Sequence, residues 1–287
     1  MDFKTILSRK YLIMDGAMGT MLQKEGLKVG ERSESFNISN PEAVMKIHRA
    51  YAEAGADIIT ANTFGANELN LKSEGISVQD MIRKAVNLAK SAAGDKLVAL
   101  DLGPTGQLLE PYGDLTYEEA YNIFAKQVKA GVEAGADLIL IETVMDLEEA
   151  KAAILSAKEN STLPVLCTMT FSEGGRTLMG ADAHKAAVTL QNLGVDALGV
   201  NCSVGPKELM PVVEELLKYS TVPVIVQPNA GLPKLIDGKI HYDITAEEFS
   251  RYIANMANLG VKIFGGCCGT TPEFISEVKK VLEKIYK

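Results

Sequence analysis

Glu133-Ala-Gly-Ala-Asp-Leu-Ile-Leu-Ile-Glu142-Thr143 holds the end of one structural element and the start of the next. The Ala-Gly-Ala step reads as a helix stop, because Gly accepts the left-handed backbone that ends many helices. Leu138 to Ile141 is a short unbroken apolar run, the pattern of a strand covered on both faces. The run then breaks onto two polar residues. The same pentapeptide stands at Glu53-Ala-Gly-Ala-Asp57, and Asn192-Leu-Gly-Val-Asp196 and Asn258-Leu-Gly-Val-Lys262 are close variants.

Working outward from this stretch, apolar runs of the same kind recur along the chain. They are Tyr11 to Met14, Asp57 to Ala61, Leu97 to Leu102, Leu138 to Ile141, Val165 to Thr170, Ala197 to Val200, Val222 to Val226 and Val261 to Phe264. Helix starts lie between them: Asn40 and Thr271 each precede a Pro. Thr116 with Glu119, Asp146 with Glu149 and Thr245 with Glu248 have capping-box spacing. Helix, Gly stop, strand and polar loop thus repeat eight times without a composition break. The pattern predicts a single (β/α)8 TIM barrel over residues 1–287, in preference to an open doubly wound sheet. The long segments Gly26 to Ser39 and Pro104 to Leu115 are expected as lids over its mouth.

The 287 residues carry 29 Lys plus Arg against 37 Asp plus Glu, a net charge of −8, which disfavours binding to a nucleic-acid backbone. Hydrophobic residues make up 47% and charged residues 23%, so the chain can bury a full core and is not broadly disordered. No apolar stretch approaches the roughly 18 residues that span a bilayer, and the N-terminus, with Asp2, Lys4, Arg9 and Lys10, resembles no signal peptide. With four cysteines in a chain of this length, a reducing cytoplasm is the expected location.

Active sites of such barrels lie at the C-terminal ends of the strands. Those positions here hold DGAMGT (Asp15 to Thr20), Glu142-Thr143, Asn201-Cys202, Gln227-Pro-Asn229 and GGCCGT (Gly265 to Thr270). Sixty-four residues lie between Cys202 and Cys267, yet closure leaves only strand seven between their strands. Cys202, Cys267 and Cys268 are therefore expected to meet. Three soft thiolates favour Zn2+, and three protein ligands leave the open position of a catalytic zinc. Cys167, inside the run VLCTMTF, is expected to be a core thiol; His48, His184 and His241 have no metal-ligand setting.

Zinc with three thiolates carries one net negative charge, poor for making hydroxide but suited to holding a fourth, exogenous sulfur as thiolate. That favours alkyl transfer to sulfur over hydrolysis. The backbone N–H groups of the DGAMGT turn suit a carboxylate, and Asp15 and Glu142 suit an ammonium group. Bland alternatives stay open at this point: Asp15 as a helix cap, Glu142 as a solvated strand-end charge, or a phosphate on the Gly-rich turns.

DGAMGT, ETVMDLEEAKAA, VNCSVGP, QPNAG and GGCCGTTPE together resemble the homocysteine S-methyltransferase family over essentially the whole chain. The likeness is strongest to the N-terminal homocysteine-binding module of cobalamin-dependent methionine synthase. It implies a zinc barrel with Cys202, Cys267 and Cys268 as ligands, and homocysteine held by Asp15, the N–H groups of Gly16 and Ala17, and Glu142. By the same likeness Asn229 fills the fourth zinc position until homocysteine displaces it. The implied reaction methylates homocysteine to methionine, with methylcobalamin on a separate corrinoid domain or protein as donor, since nothing after Lys287 supplies one. S-methylmethionine or betaine are the alternative donors, although the betaine-dependent branch has a longer C-terminal extension. A module that only presents homocysteine is the non-enzymatic alternative.

Overall fold

The computed structural model describes Thr5 and residues 11–28, 30–72, 75–236 and 239–287. The N-terminal charges Asp2, Lys4, Arg9 and Lys10 lie outside the described residues, as does Val29 in the first expected lid. All eight apolar runs contain a strand: β1 (Leu12–Ile13), β2 (Ile58–Thr60), β3 (Leu97–Leu102), β4 (Leu138–Val144), β5 (Val165–Met169), β6 (Ala197–Asn201), β7 (Val224–Gln227) and β8 (Ile263–Phe264). Neighbours pair in parallel from β2 through to β7, β7 pairs with β8, and β8 with β1. The Met14–Ile58 bridge and the Asp57 N–H to Ile13 carbonyl bond of 2.6 Å join β1 to β2 and close the ring. The fold is a (β/α)8 barrel, as the repeat pattern implies.

Helices cover the outside: α1 (Met18–Lys24), α2 (Pro41–Ala54), α3 (Val78–Ala93), α4 (Tyr117–Glu133), α5 (Leu147–Asn160), α6 (Ala183–Asn192), α7 (Pro206–Tyr219), α8 (Ala246–Leu259) and α9 (Pro272–Ile285). Gly55 and Gly260 end α2 and α8 with φ of 110° and 112°, the left-handed geometry anticipated for the repeated stop. Thr116 and Glu119 form a complete capping box, and Asn40 and Thr245 cap α2 and α8. Thr271 makes no capping bond. Asp146 caps α5 through Glu148 N–H, but Glu149 does not reach back. Its carboxylate takes the Thr105 N–H and hydroxyl at 2.8 and 2.6 Å.

That anchor bears on the expected lids. Glu149 ties down the start of the 104–115 segment, whose Leu109 and Leu115 are buried and bridged to each other. The segment folds onto itself and contributes no residue to the cavity wall, whereas 26–39 contributes Ser33. A two-stranded antiparallel hairpin, Lys234–Ile236 with Lys239–His241, stands between β7 and α8.

Strand alternation sorts the apolar residues into two cores. Leu12, Met14, Ile58, Ala99, Leu140, Leu166 and Ile225 fill the inside of the ring. Ile13, Ile59, Val98, Leu100, Ile139 and Val226 face the helices, and so does Cys167, which is fully buried there as a core thiol. Continuing the inward parity towards the C-terminal ends gives Thr60, Asp101, Glu142, Thr168, Asn201 and Gln227. The top layer of the barrel is therefore polar, and it forms the floor of the site.

His48 is one of the buried polar residues in the core. It lies in α2, completely buried with neither ring nitrogen hydrogen-bonded, and burial pushes its pKa down to about 4. The unfolded chain takes up this proton near pH 6.5 while the folded one resists it. Stability is thus lost as pH falls from about 6.5 towards 4, by on the order of 3 kcal/mol at the acid end. His48→Leu is expected to abolish that part of the acid loss. Urea unfolding at pH 7 and pH 4.5 checks it, and an unchanged pH dependence in the variant would contradict it.

Candidate functional site

Cys202 follows β6 directly, and Cys202 and Ser203 both adopt left-handed backbone, with φ of 61° and 65°. The strand stops there, yet Cys202 N–H still bonds the Gln227 carbonyl of β7 at 3.1 Å. On the other side of β7, Cys267 N–H bonds the Pro228 carbonyl and Cys268 accepts from Ala230 N–H. The end of β7 therefore sits between the two cysteine loops, as barrel closure requires. The three Sγ atoms all lie within 4.8 Å of one another, with Cys202 and Cys268 at 4.0 Å.

Tetrahedral zinc with bonds of about 2.3 Å needs its sulfurs roughly 3.8 Å apart, so the cluster fits a metal after a small inward shift. Asn229 supports the fit. It is buried, its side chain hydrogen-bonds Cys202, and its Oδ1 has no partner. Turning the amide over brings that orphaned oxygen to the thiol side. Hydrogen bonds from Cys267 and Cys268 pull the Cys202 thiol down to about 3, and the same contacts raise Cys267 well above the usual thiol range and Cys268 to about 12. Without metal, one thiolate is stabilised by two thiols. Tyr242 touches Cys268, and its ring packs where a side chain at Gly269 would stand.

Facing the sulfurs is a wall of carboxyl groups. Asp15 accepts from Thr60 N–H at 2.8 Å and Thr60 Oγ1 at 2.7 Å, and burial pushes its pKa up to about 7. Glu142 lies at an irregularity in β4, where the register with β5 shifts and Thr143 takes a φ of 61°. Such a bulge re-aims side chains, and it explains why β4 runs past the apolar residues. Burial first, then Cys202 and Asp15, push the Glu142 carboxyl up to about 8.

Asn201 ties the two walls together. Its Nδ2 meets Thr143 Oγ1 at 2.7 Å, Glu142 Oε2 at 3.4 Å and Cys267 Sγ at 4.0 Å, while its Oδ1 accepts from Thr143 N–H and Thr168 Oγ1. Asp101 on β3 is the third carboxyl, 5% exposed, with Oδ1 unpaired.

The turns after β1 and β8 are stitched together: Gly266 N–H to the Asp15 carbonyl, Ala17 N–H to Thr270 Oγ1 at 3.2 Å, and Gly269 N–H to Thr20 Oγ1. Gly16 is obligatory, since a Cβ there would lie 2.7 Å from Thr270 Oγ1 and 2.9 Å from the Tyr51 ring. Ala17, Met18 and Gly19 line the cavity at the start of α1, which has no side-chain cap. The expected N–H groups are thus at the cavity wall, with that of Ala17 already bonded to Thr270.

The cavity has a volume of about 260 Å³, and among its described lining residues there is no Lys or Arg. This acidic wall argues against a phosphate guest. Asp15, Gly16, Ala17, Glu142, Cys202, Cys267 and Cys268 all line it; Asn229 stands behind, against Cys202. Asp101, Thr60 and Tyr242 were not legible as site residues, whereas Asn201 is among the strand-end positions that the sequence singles out. Asp101 is hidden inside an apolar run, its one signal being a carboxylate at inward parity.

Fold and site together define a barrel with a cavity between a soft-donor cluster and an acidic wall. Residues 12–282 match the family model described as homocysteine S-methyltransferase, and the chain belongs to that family. It is 33% identical to methionine synthase of Mycobacterium tuberculosis over 99% of this chain and 26% of that protein. With methionine synthase of Mycobacterium leprae it shares 34% identity over 96% of this chain and 25% of the relative. The chain thus spans about a quarter of the length of these curated relatives. Its fold is similar to the metallated form of the homocysteine methyltransferase MmuM from Escherichia coli, with a TM-score of 0.82, 23% identity, and coverage of 96% and 98% of the two chains.

Proposed function

We propose that residues 1–287 form a homocysteine-binding barrel module that methylates homocysteine to methionine with zinc on Cys202, Cys267 and Cys268. The observation that carries this is the placement of the thiol cluster and the carboxyl wall on one 260 Å³ cavity with no Lys or Arg among its described lining residues. A thiol group and an ammonium group on one small molecule match those two walls.

Cys202, Cys267 and Cys268 would hold zinc, with Asn229 beside Cys202 as the further donor, and the ion would supply Lewis acidity that lowers the pKa of an incoming thiol. The chain's own residues do the positioning. Asp15 and Glu142 accept the substrate ammonium, and the turn at Gly16 and Ala17 faces its carboxylate. Thr60 fixes Asp15, and Asn201 keeps Glu142 and Thr143 in register with the cysteine loop. The thiol proton passes to solvent, the sulfur lone pair forms the new S–CH3 bond, and the donor's bond to that methyl breaks with its electrons going to the leaving group. Holding both ends of the substrate lines up the sulfur for this in-line displacement.

Methylcobalamin on a corrinoid domain or partner protein is the favoured donor, in keeping with the two methionine synthases of about fourfold greater length. S-methylmethionine is the alternative, favoured by the likeness in fold to MmuM. Zinc-edge absorption with and without homocysteine tests the reading. The expected change is one added sulfur ligand, and turnover with methylcobalamin or S-methylmethionine then assigns the donor. Unchanged coordination on adding homocysteine would refute the substrate's place at the metal.

A further inference from the structure

Asp101 stands apart from the two carboxylates discussed so far. It projects inward from β3, and its Cα pairs in register with that of Leu140 of β4. Glu142, one inward position further along β4, is therefore its diagonal neighbour. The Asp101 carboxyl lines the cavity, is 5% exposed, and leaves Oδ1 without a hydrogen-bond partner. A buried carboxyl oxygen left unpaired is costly, and native proteins keep such groups where a ligand completes them.

An ammonium group has three N–H donors. Asp15 already accepts two bonds from Thr60, and Glu142 is approached by Asn201, so neither is as open to a new donor as Asp101. We infer that Asp101 is a further substrate-binding residue, accepting one N–H of the substrate ammonium. With it the site selects α-amino thiols over thiols lacking the amino group. The inference rests on the homocysteine reading and deepens it. Burial, then Glu142, Glu34 and Asp15, push the Asp101 carboxyl well above its ordinary range.

The test is calorimetric binding of homocysteine and of 4-mercaptobutanoate, its analogue without the amino group, to zinc-loaded wild type, Asp101→Asn and Asp101→Ser. Zinc content is measured in parallel. Wild type is expected to prefer homocysteine, and both variants to lose about 10- to 100-fold in homocysteine affinity, the size of one charge-assisted hydrogen bond. Affinity for 4-mercaptobutanoate and zinc content should stay as in wild type. Equal loss for both thiols, or an unchanged preference in the variants, overturns the role of Asp101 alone. A wild type with no preference for homocysteine overturns the homocysteine reading and this inference with it.

Discussion

Cys202→Ala is expected to leave a folded protein that no longer retains zinc. Cys267 and Cys268 hang from one loop after β8, whereas Cys202 comes from β6 across the intervening strand. Removing it leaves two adjacent donors, too few for a closed tripod. Loss of an outer partner of a metal ligand typically costs 10- to 100-fold in affinity, so loss of a ligand itself should exceed about 100-fold. Methyl transfer should fall with metal content. Cys202 is only partly buried and Ala tolerates the same backbone about as well, so melting of the metal-free proteins should nearly coincide. Zinc per chain after dialysis against a weak chelator is the measurement. The zinc assignment is falsified if wild type and variant retain equal metal.

Glu142→Gln is expected to separate substrate from metal. The amide keeps the size of the side chain but loses the charge, so homocysteine affinity should drop about 10- to 100-fold while zinc stoichiometry stays at the wild-type value. Zinc loss in this variant would mean that Glu142 supports the metal instead. The substitution has a second signature with a definite sign. In the metal-free protein the Glu142 carboxyl, pushed up to about 8, keeps a proton that the unfolded chain releases near pH 4.5. Its contribution to stability is therefore lost as pH rises from about 4.5 through 8. Glu142→Gln removes this dependence, opposite in direction to the acid loss attached to His48.

The barrel was legible because each strand lies in a mainly apolar run that gives way to polar residues, and because Gly55 and Gly260 mark helix ends in matching contexts. The sulfur cluster was legible for a related reason: once eight strands close, Cys202 and Cys267 must lie one strand apart. What escaped depends on contacts that local pattern does not encode. The 104–115 segment has the length of a lid, yet burial of Leu109 and Leu115 and the grip of Glu149 on Thr105 fold it aside. Glu149 has the spacing of a capping box, but a tertiary partner wins its carboxylate. Asp101 sits inside a run read as core, and only the inward parity of the closed ring turns it towards the cavity. Tyr242 reaches Cys268 from the long connection after β7, where no periodic signal marks it.

Strands β1 and β8 have two residues each, and they meet where the beginning and the end of the ring come together. So short a ladder makes this seam easier to open than the long arc of β3 to β6. Asp15 borders it on one side and Cys267 and Cys268 on the other. On the proposed function, a substrate held by Asp15 at one end and by the sulfur cluster at the other would span this joint like a staple. Binding across it would then favour the closed ring, and occupancy of the site would slow local breathing of the barrel.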